Sequence, residues 1–181
     1  MNYFIQSLTY FRIFVAPIIF LLITFYASYG WALFLFFLAS ISDYWDGFLA
    51  RKYHLESMIG AVLDPIADKI LVTFLVLALS IELSSIYIGM IGGIMLVREF
   101  WVAALRDLNA RQENSNATKV TLLAKIKTSL QFITFSLYLF GLFQNNALIL
   151  FISNFFLFLA LIITLQSGLA YTKATFQAAK N

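Results

Sequence analysis

Residues 43–51 read DYWDGFLAR and, after eight further residues, 60–68 read GAVLDPIAD. Four aspartates, Asp43, Asp46, Asp64 and Asp68, therefore stand close together between runs that hold almost no charge. Carboxylates at bilayer depth cost about 2.5 to 3.5 kcal/mol each, so the four represent roughly 10 to 14 kcal/mol that positive charge must offset. On a helix, positions 43, 46, 47, 50 and 51 share one face, and 60, 64 and 68 share another. Two such faces set against each other would gather all four carboxylates into one small cavity.

The rest of the composition puts that cavity in a membrane. Of 181 residues, 62% are hydrophobic and only 12% charged, far from the usage of a soluble domain. The 20 Phe and 9 Tyr spread along the chain suit lipid-facing helices with aromatic belts. One domain over residues 1–181 is expected. The absence of cysteine excludes disulfides, thiolate metal ligands and a cysteine nucleophile. The net charge of +3 is small, and the basic residues are to be read by side of the membrane. No nucleic-acid partner is expected, whereas membrane lipids are.

Hydropathy predicts an all-α integral membrane protein with six transmembrane helices, at about 8–27, 31–51, 58–79, 86–108, 119–143 and 147–168. The first run lacks a basic lead and a small-x-small cleavage site, so it is expected to be a span rather than a cleaved signal. The turns near 28–30, 81–85 and 144–146 contain no Lys or Arg, and all twelve basic residues fall toward the opposite face. The short-loop rule then makes both termini and the aspartate cavity cytoplasmic. A short chain with no presequence points to a bacterial inner membrane.

Hard divalent cations, Mg²⁺ above all, take oxygen ligands and keep places for water and substrate phosphates. Two of them would neutralise four aspartates. A carboxylate cluster with no His or Cys argues against zinc, and a metal pair suits an in-line displacement at phosphorus. Small residues on the same faces, Gly47, Ala50 and Gly60, leave room for a ligand or a close helix contact. A paired structural charge, a proton relay and a cation-transport site remain open readings of intramembrane carboxylates.

The stretch resembles the signature of the CDP-alcohol phosphotransferase family, D-x-x-D-G-x-x-A-R, eight residues, G-x-x-x-D-x-x-x-D, at every position. The resemblance implies a six-helix membrane enzyme, commonly a homodimer, that moves a substituted phosphate from a CDP-linked donor to an alcohol. It assigns Asp43, Asp46 and Asp64 to a centre of two divalent cations, Mg²⁺ or Mn²⁺, and adds Asp68 to that cluster as general base. It places Gly47, Ala50, Arg51 and Gly60 along the cytidine nucleotide.

Acceptor choice must come from elsewhere. Arg98 and Arg106 lie two turns apart on one helix face, and Lys125 and Lys127 enter from the next helix. Together they suit an acceptor with its own phosphate, for which Arg offers a planar fork and Lys a point charge. Basic residues near span ends also snorkel or hold anionic headgroups, but Arg98 lies too deep for that to be easy. Thr9 and Arg12 admit two readings, contact with a substrate phosphate or anchoring of the first span.

The flanks Leu8-Thr9-x-x-Arg12, Asp64-Pro65-x-Ala67-Asp68-Lys69, Arg98-Glu99, Ala104-Leu105-Arg106 and Lys125-Ile126-Lys127-Thr128 resemble the branch of the family that makes phosphatidylglycerophosphate. Ala124 departs from the glycine common there. That branch implies CDP-diacylglycerol and glycerol 3-phosphate as substrates, with CMP released. Inositol phosphate, inositol, serine or phosphatidylglycerol is the alternative acceptor, and a divalent-cation transporter is the rival of a different class. Residues 145–181 carry no motif and are expected to serve as scaffold or dimer contact.

Overall fold

The computed structural model describes residues 2–53, 58–111 and 122–178, with backbone alone at 2–6, 44, 46, 47, 49–51, 53, 58, 59, 61, 122–125 and 178. The described secondary structure is all helical: α1 (Asn2–Thr24), α2 (Tyr29–Tyr53), α3 (Met58–Glu82), α4 (Ile86–Arg111), α5 (Leu122–Phe143) and α6 (Ala147–Ala178). Four of these, α1, α4, α5 and α6, are long and apolar enough to cross a membrane. The apolar part of α2 is the shorter stretch Tyr29–Asp43, and α3 carries Asp64, Asp68 and Lys69 in its first half.

Three tight turns join the helices in pairs. At each, one residue takes a left-handed backbone conformation, Ala27 (φ 48°), Ser84 (φ 45°) and Asn145 (φ 48°). That conformation closes the preceding helix, with Ser28 N–H donating to Leu22 O, Ser85 N–H to Ser80 O and Asn146 N–H to Gly141 O. The next residue starts the following helix: Asn146 Oδ1 accepts from the amides of Leu148 and Ile149, and Ser85 Oγ from that of Ile88. All three turns thus form one end of the bundle. The opposite end, the loop end, carries Tyr53 of α2, Met58 of α3, Arg111 of α4 and Leu122 of α5; residues 54–57 and 112–121 lie outside the described residues.

The helices pack as a closed ring. The principal contacts run α1 to α2, α2 to α5, α5 to α6, α6 to α4, α4 to α3 and α3 back to α1. Every helix supplies buried residues to one shared core, among them Ile19, Phe36, Leu75, Ile91, Tyr138 and Leu157. Phe36 is stacked on Phe132 across the α2–α5 seam, centroids 5.3 Å apart. A smaller cluster of Val102, Leu105 and Tyr171 joins α4 to α6 nearer the loop end.

Most helix bounds shift from the hydropathy reading, by two or three residues apart from the start of α1, at Asn2 rather than 8, and the end of α6. α1 stops at Thr24 rather than 27, because the turn needs Ala27 in a left-handed conformation. α6 continues ten residues past 168. Hydropathy drops there, but the helical period persists: Thr164, Ser167, Gly168, Tyr171 and Thr175 form one buried stripe. Asn109 Nδ2 donates to Thr175 Oγ1 at 2.8 Å and Trp101 Nε1 to Thr172 Oγ1 at 3.0 Å, which ties the extension to α4.

The α3–α4 seam depends on one glycine. A Cβ on the buried Gly92 would collide with both methyl groups of Val76, a stiff β-branched residue that cannot swing aside. Gly92→Ala is expected to cost about 1 to 3 kcal/mol by overpacking. The cost should appear as a lower melting temperature in detergent, and Val76→Ala in the same chain should recover part of it.

Candidate active site

On α1, Thr9, Arg12, Ala16, Ile19 and Ile23 are all fully or almost fully buried and follow one helical stripe. The stripe is apolar over its length in the core and becomes polar only at Thr9 and Arg12. Packing that buries Ile19 and Ile23 therefore carries the Arg12 guanidinium inward between α2 and α3. There Nη1 donates to Asp43 Oδ1 and to Asp68 Oδ1, both at 2.5 Å, and Nη2 lies 3.3 Å from Asp64 Oδ1. Thr9 Oγ1 donates to the same Asp64 oxygen at 2.7 Å.

The geometry is that of a floor and a rim. The Arg12 side chain is 1% exposed, whereas those of Asp43, Asp64 and Asp68 are 48%, 39% and 53% exposed. Three carboxylates from two helices converge on one enclosed cation and turn their other surfaces outward. One positive charge against three leaves the cluster anionic. Asp46 lies on α2 beside Asp43, but its side chain is outside the described residues, as are those of Gly47, Ala50 and Arg51. Gly60, half-buried, lies on α3 one turn before Asp64. Among the described residues no three carboxylate, His or Cys side chains form a ready ligand set for a metal, since the carboxylates meet on Arg12.

A second polar cluster occupies the other half of the ring. The buried stripe of α4 reads Ile88, Ile91, Gly92, Met95, Arg98, Val102, Leu105 and Asn109, again apolar with an arginine in it. Arg98 Nη1 donates to Glu99 at 2.9 Å and Nη2 to Ser167 Oγ at 2.6 Å. The same Glu99 oxygen, Oε1, accepts from Lys127 Nζ on α5 at 2.5 Å. Gly168 admits the arginine stem, because a Cβ there would stand 3.0 Å from Arg98 Cγ and 3.1 Å from Nε.

The two clusters stand at one level. Lys69 Nζ, next to Asp68, lies 5.6 Å from the centre of the Phe100 ring, next to Glu99. Arg12, Asp43, Asp68, Arg98 and Lys127 are 12 to 16 residues from the tight-turn end of their helices, about 18 to 24 Å along the axis.

Of the basic residues expected around an acceptor, Arg98 and Lys127 are brought together on Glu99. Arg106 is further toward the loop end, its guanidinium 5.1 Å from the centre of the Tyr171 ring and donating to the Tyr171 hydroxyl at 3.1 Å. The Lys125 side chain lies outside the described residues. Five contributors carried no assignment from the sequence: Arg12 and Thr9 were left between two readings, Glu99 was only a neighbour, and Ser167 and Gly168 fell in a segment taken as scaffold or dimer contact. The signal for Arg12 was its register with Ala16, Ile19 and Ile23.

Removing the floor should be costly. Arg12→Gln leaves three carboxylates without their cation, and because their outer surfaces are open to water the cost is about 1.5 to 3 kcal/mol, that of hydrogen bonds to charged groups, rather than that of a charge left fully buried. Melting in detergent with chelator present is expected to show a large fall in midpoint for Arg12→Gln. Arg12→Lys should recover only part, since an ammonium cannot fork between Asp43, Asp64 and Asp68. An unchanged midpoint would mean the carboxylates do not depend on Arg12.

The sequence model of the CDP-alcohol phosphatidyltransferase family matches residues 6–166, which includes the charged residues of both clusters. Among relatives, a CDP-diacylglycerol–glycerol-3-phosphate 3-phosphatidyltransferase of Wigglesworthia glossinidia brevipalpis is 36% identical, over 91% of this chain and 90% of its own. Proteins of the same name from Salmonella choleraesuis (strain SC-B67) and Shigella flexneri serotype 5b are 32% and 30% identical, each over 92% of this chain and 91% of theirs. With its aspartate signature on the two helices that flank α1 and likeness running nearly end to end, the chain belongs to the CDP-alcohol phosphatidyltransferase family.

Proposed function

We propose that this protein transfers the phosphatidyl group of CDP-diacylglycerol to glycerol 3-phosphate, giving phosphatidylglycerophosphate and CMP. The observation that carries the reading is the convergence of Asp43, Asp64 and Asp68, from the two signature helices, on one half-open site. The names and near-complete coverage of the relatives support the acceptor.

The donor set fits hard divalent cations: all the described groups are carboxylates, they outnumber their one buried counter-charge, and their outer surfaces are open. Asp43, Asp46, Asp64 and Asp68 would hold two such ions, Mg²⁺ or Mn²⁺. When bound, these would stabilise the charge that develops on the phosphates of the donor. Gly47, Ala50, Arg51 and Gly60 line the cytidine nucleotide in this reading. Asp68 takes the proton of the acceptor hydroxyl, whose oxygen forms the new bond to the phosphatidyl phosphorus as the bond to CMP breaks. Arg98 and Lys127, with Arg106 and Lys125 toward the loop end, receive the acceptor's own phosphate.

All six helices span the membrane in this reading, with the clusters and both termini at the cytoplasmic face of a bacterial inner membrane and the chain paired as a homodimer. The described basic residues, Arg12, Lys69, Arg98, Arg106 and Arg111 among them, lie on the loop-end side of the turns and support that orientation. A transporter would need polar groups leading to the other face. Near the tight turns, Glu82 accepts a hydrogen bond from the Tyr29 hydroxyl and opens no such path.

Purified protein should release CMP from CDP-diacylglycerol only when Mg²⁺ or Mn²⁺ and glycerol 3-phosphate are both present, and chelation should abolish the release. Turnover with serine or inositol in place of glycerol 3-phosphate would overturn the acceptor while leaving the family intact. Asp68→Asn is expected to lower kcat by about 10²- to 10⁴-fold, the usual worth of a general base. Arg98→Ala should raise KM for glycerol 3-phosphate far more than KM for CDP-diacylglycerol.

A further inference from the structure

Arg98 and Lys127 are two cations buried on facing helices, with side chains 8% and 11% exposed. Left alone they would repel each other in a region of low dielectric. One carboxylate oxygen, Glu99 Oε1, prevents this by accepting from both. The Glu99 side chain is 23% exposed, more than either cation. Glu99 is thus the most exposed of the three charged side chains.

Arg98 does not need Glu99 to keep its place. Its second amino group is bound to Ser167 Oγ, and Ser167, fully buried, in turn donates to Thr164 O at 3.0 Å. Its stem lies against the Cα of Gly168. A guanidinium anchored on α6, with Nη1 turned to a replaceable anion, is arranged to change partners without moving.

From this geometry we infer that Glu99 is the resident anion of the acceptor subsite, holding the hydrogen-bond positions on Arg98 and Lys127 that the acceptor's phosphate takes when it binds. The inference rests on the acceptor reading proposed above. The exchange sets a threshold for entry. A phosphate dianion, with two charges and three oxygens, competes well against a single carboxylate for a fork and an ammonium. A neutral alcohol offers nothing that would displace it. Glu99 thus sets how tightly a phosphorylated acceptor is held, being the weaker ligand that a dianion replaces.

The role predicts a gain, which structural damage does not produce. Glu99→Gln keeps the shape and a carbonyl oxygen for both donors but removes the competing charge. KM for glycerol 3-phosphate is expected to fall by about fivefold to tenfold, since a hydrogen bond to a charged group is worth more than one to a neutral group. Inhibition by inorganic phosphate should strengthen by a similar factor, with KM for CDP-diacylglycerol unchanged. Glu99→Asp, which keeps the charge but shortens its reach to Lys127, should give a smaller shift in the same direction and serves if Glu99→Gln does not fold. A rise in KM for glycerol 3-phosphate in the variant that folds overturns the inference, whether or not KM for CDP-diacylglycerol rises with it. If Arg98→Ala raises KM for glycerol 3-phosphate but neither Glu99 variant lowers it, the inference fails and the acceptor reading stands. If neither Arg98→Ala nor Glu99→Gln alters it, the acceptor reading fails first.

Discussion

A guanidinium enclosed between three helices and held by three carboxylates is the constraint on which the first half of this structure depends. Burying Arg12 costs several kcal/mol, as does burying any ion, and its pairing offsets that cost only if the partners are placed well. The cluster is therefore weak evidence for net stability and strong evidence for register. In lipid, one apolar helix face is nearly as good as another, because lipid tails are as apolar as leucine. A slip of α1 by one turn would still pack apolar against apolar along most of its stripe. It would also take Arg12 from Asp43, Asp64 and Asp68, and that penalty selects one alignment of α1, α2 and α3.

The same device recurs in α4 with the opposite sign of surplus. Arg98 interrupts an apolar stripe, but its neighbours are one carboxylate and a lysine, so the cluster carries a net positive charge among these groups. The first cluster is anionic, the second cationic, and the Lys69–Phe100 contact sets them level on adjoining helices. A site that attracts cations on one side and an anion on the other can hold a metal-bound phosphate and a separate phosphate without the two sharing ligands. The ring topology produces this separation, since α1, α2 and α3 form one arc and α5, α6 and α4 the other.

How much of this could be read in the sequence follows from which signals are local. The helices were legible because hydropathy and turn composition are local, and apart from the early start of α1 and the late end of α6 the described helices begin and end near the expected places. The faces carrying Asp43, Asp64 and Asp68 were legible from spacing alone. The identity of their counter-charge was not. The expectation that positive charge must sit among the aspartates named divalent cations but not Arg12, which reaches them from a helix some 30 residues away. Nothing local says that α1 packs on both α2 and α3. The length of α6 was missed for a related reason: hydropathy reports where lipid ends, but Tyr171 and Thr175 hold a helix beyond that point by packing on α4.

The depth of the clusters bears on why a membrane protein would place its charges where it does. They lie about 18 to 24 Å from the tight-turn end, and a hydrocarbon core is about 30 Å thick. With the tight turns at the far interface, both clusters fall below the near headgroups and inside the protein. A lipid donor keeps its tails in the bilayer and its reacting phosphate at the interface, while a water-soluble acceptor arrives from outside. The two can meet without either leaving its own phase only where the protein carries polar groups just beneath the interface. The apolar core from Ile23 and Leu79 to Leu139 closes the bundle beyond that level. One-sided access is therefore a consequence of the packing: apart from Glu82, tied to Tyr29 at the tight-turn end, the described charged residues end where the shared apolar core begins.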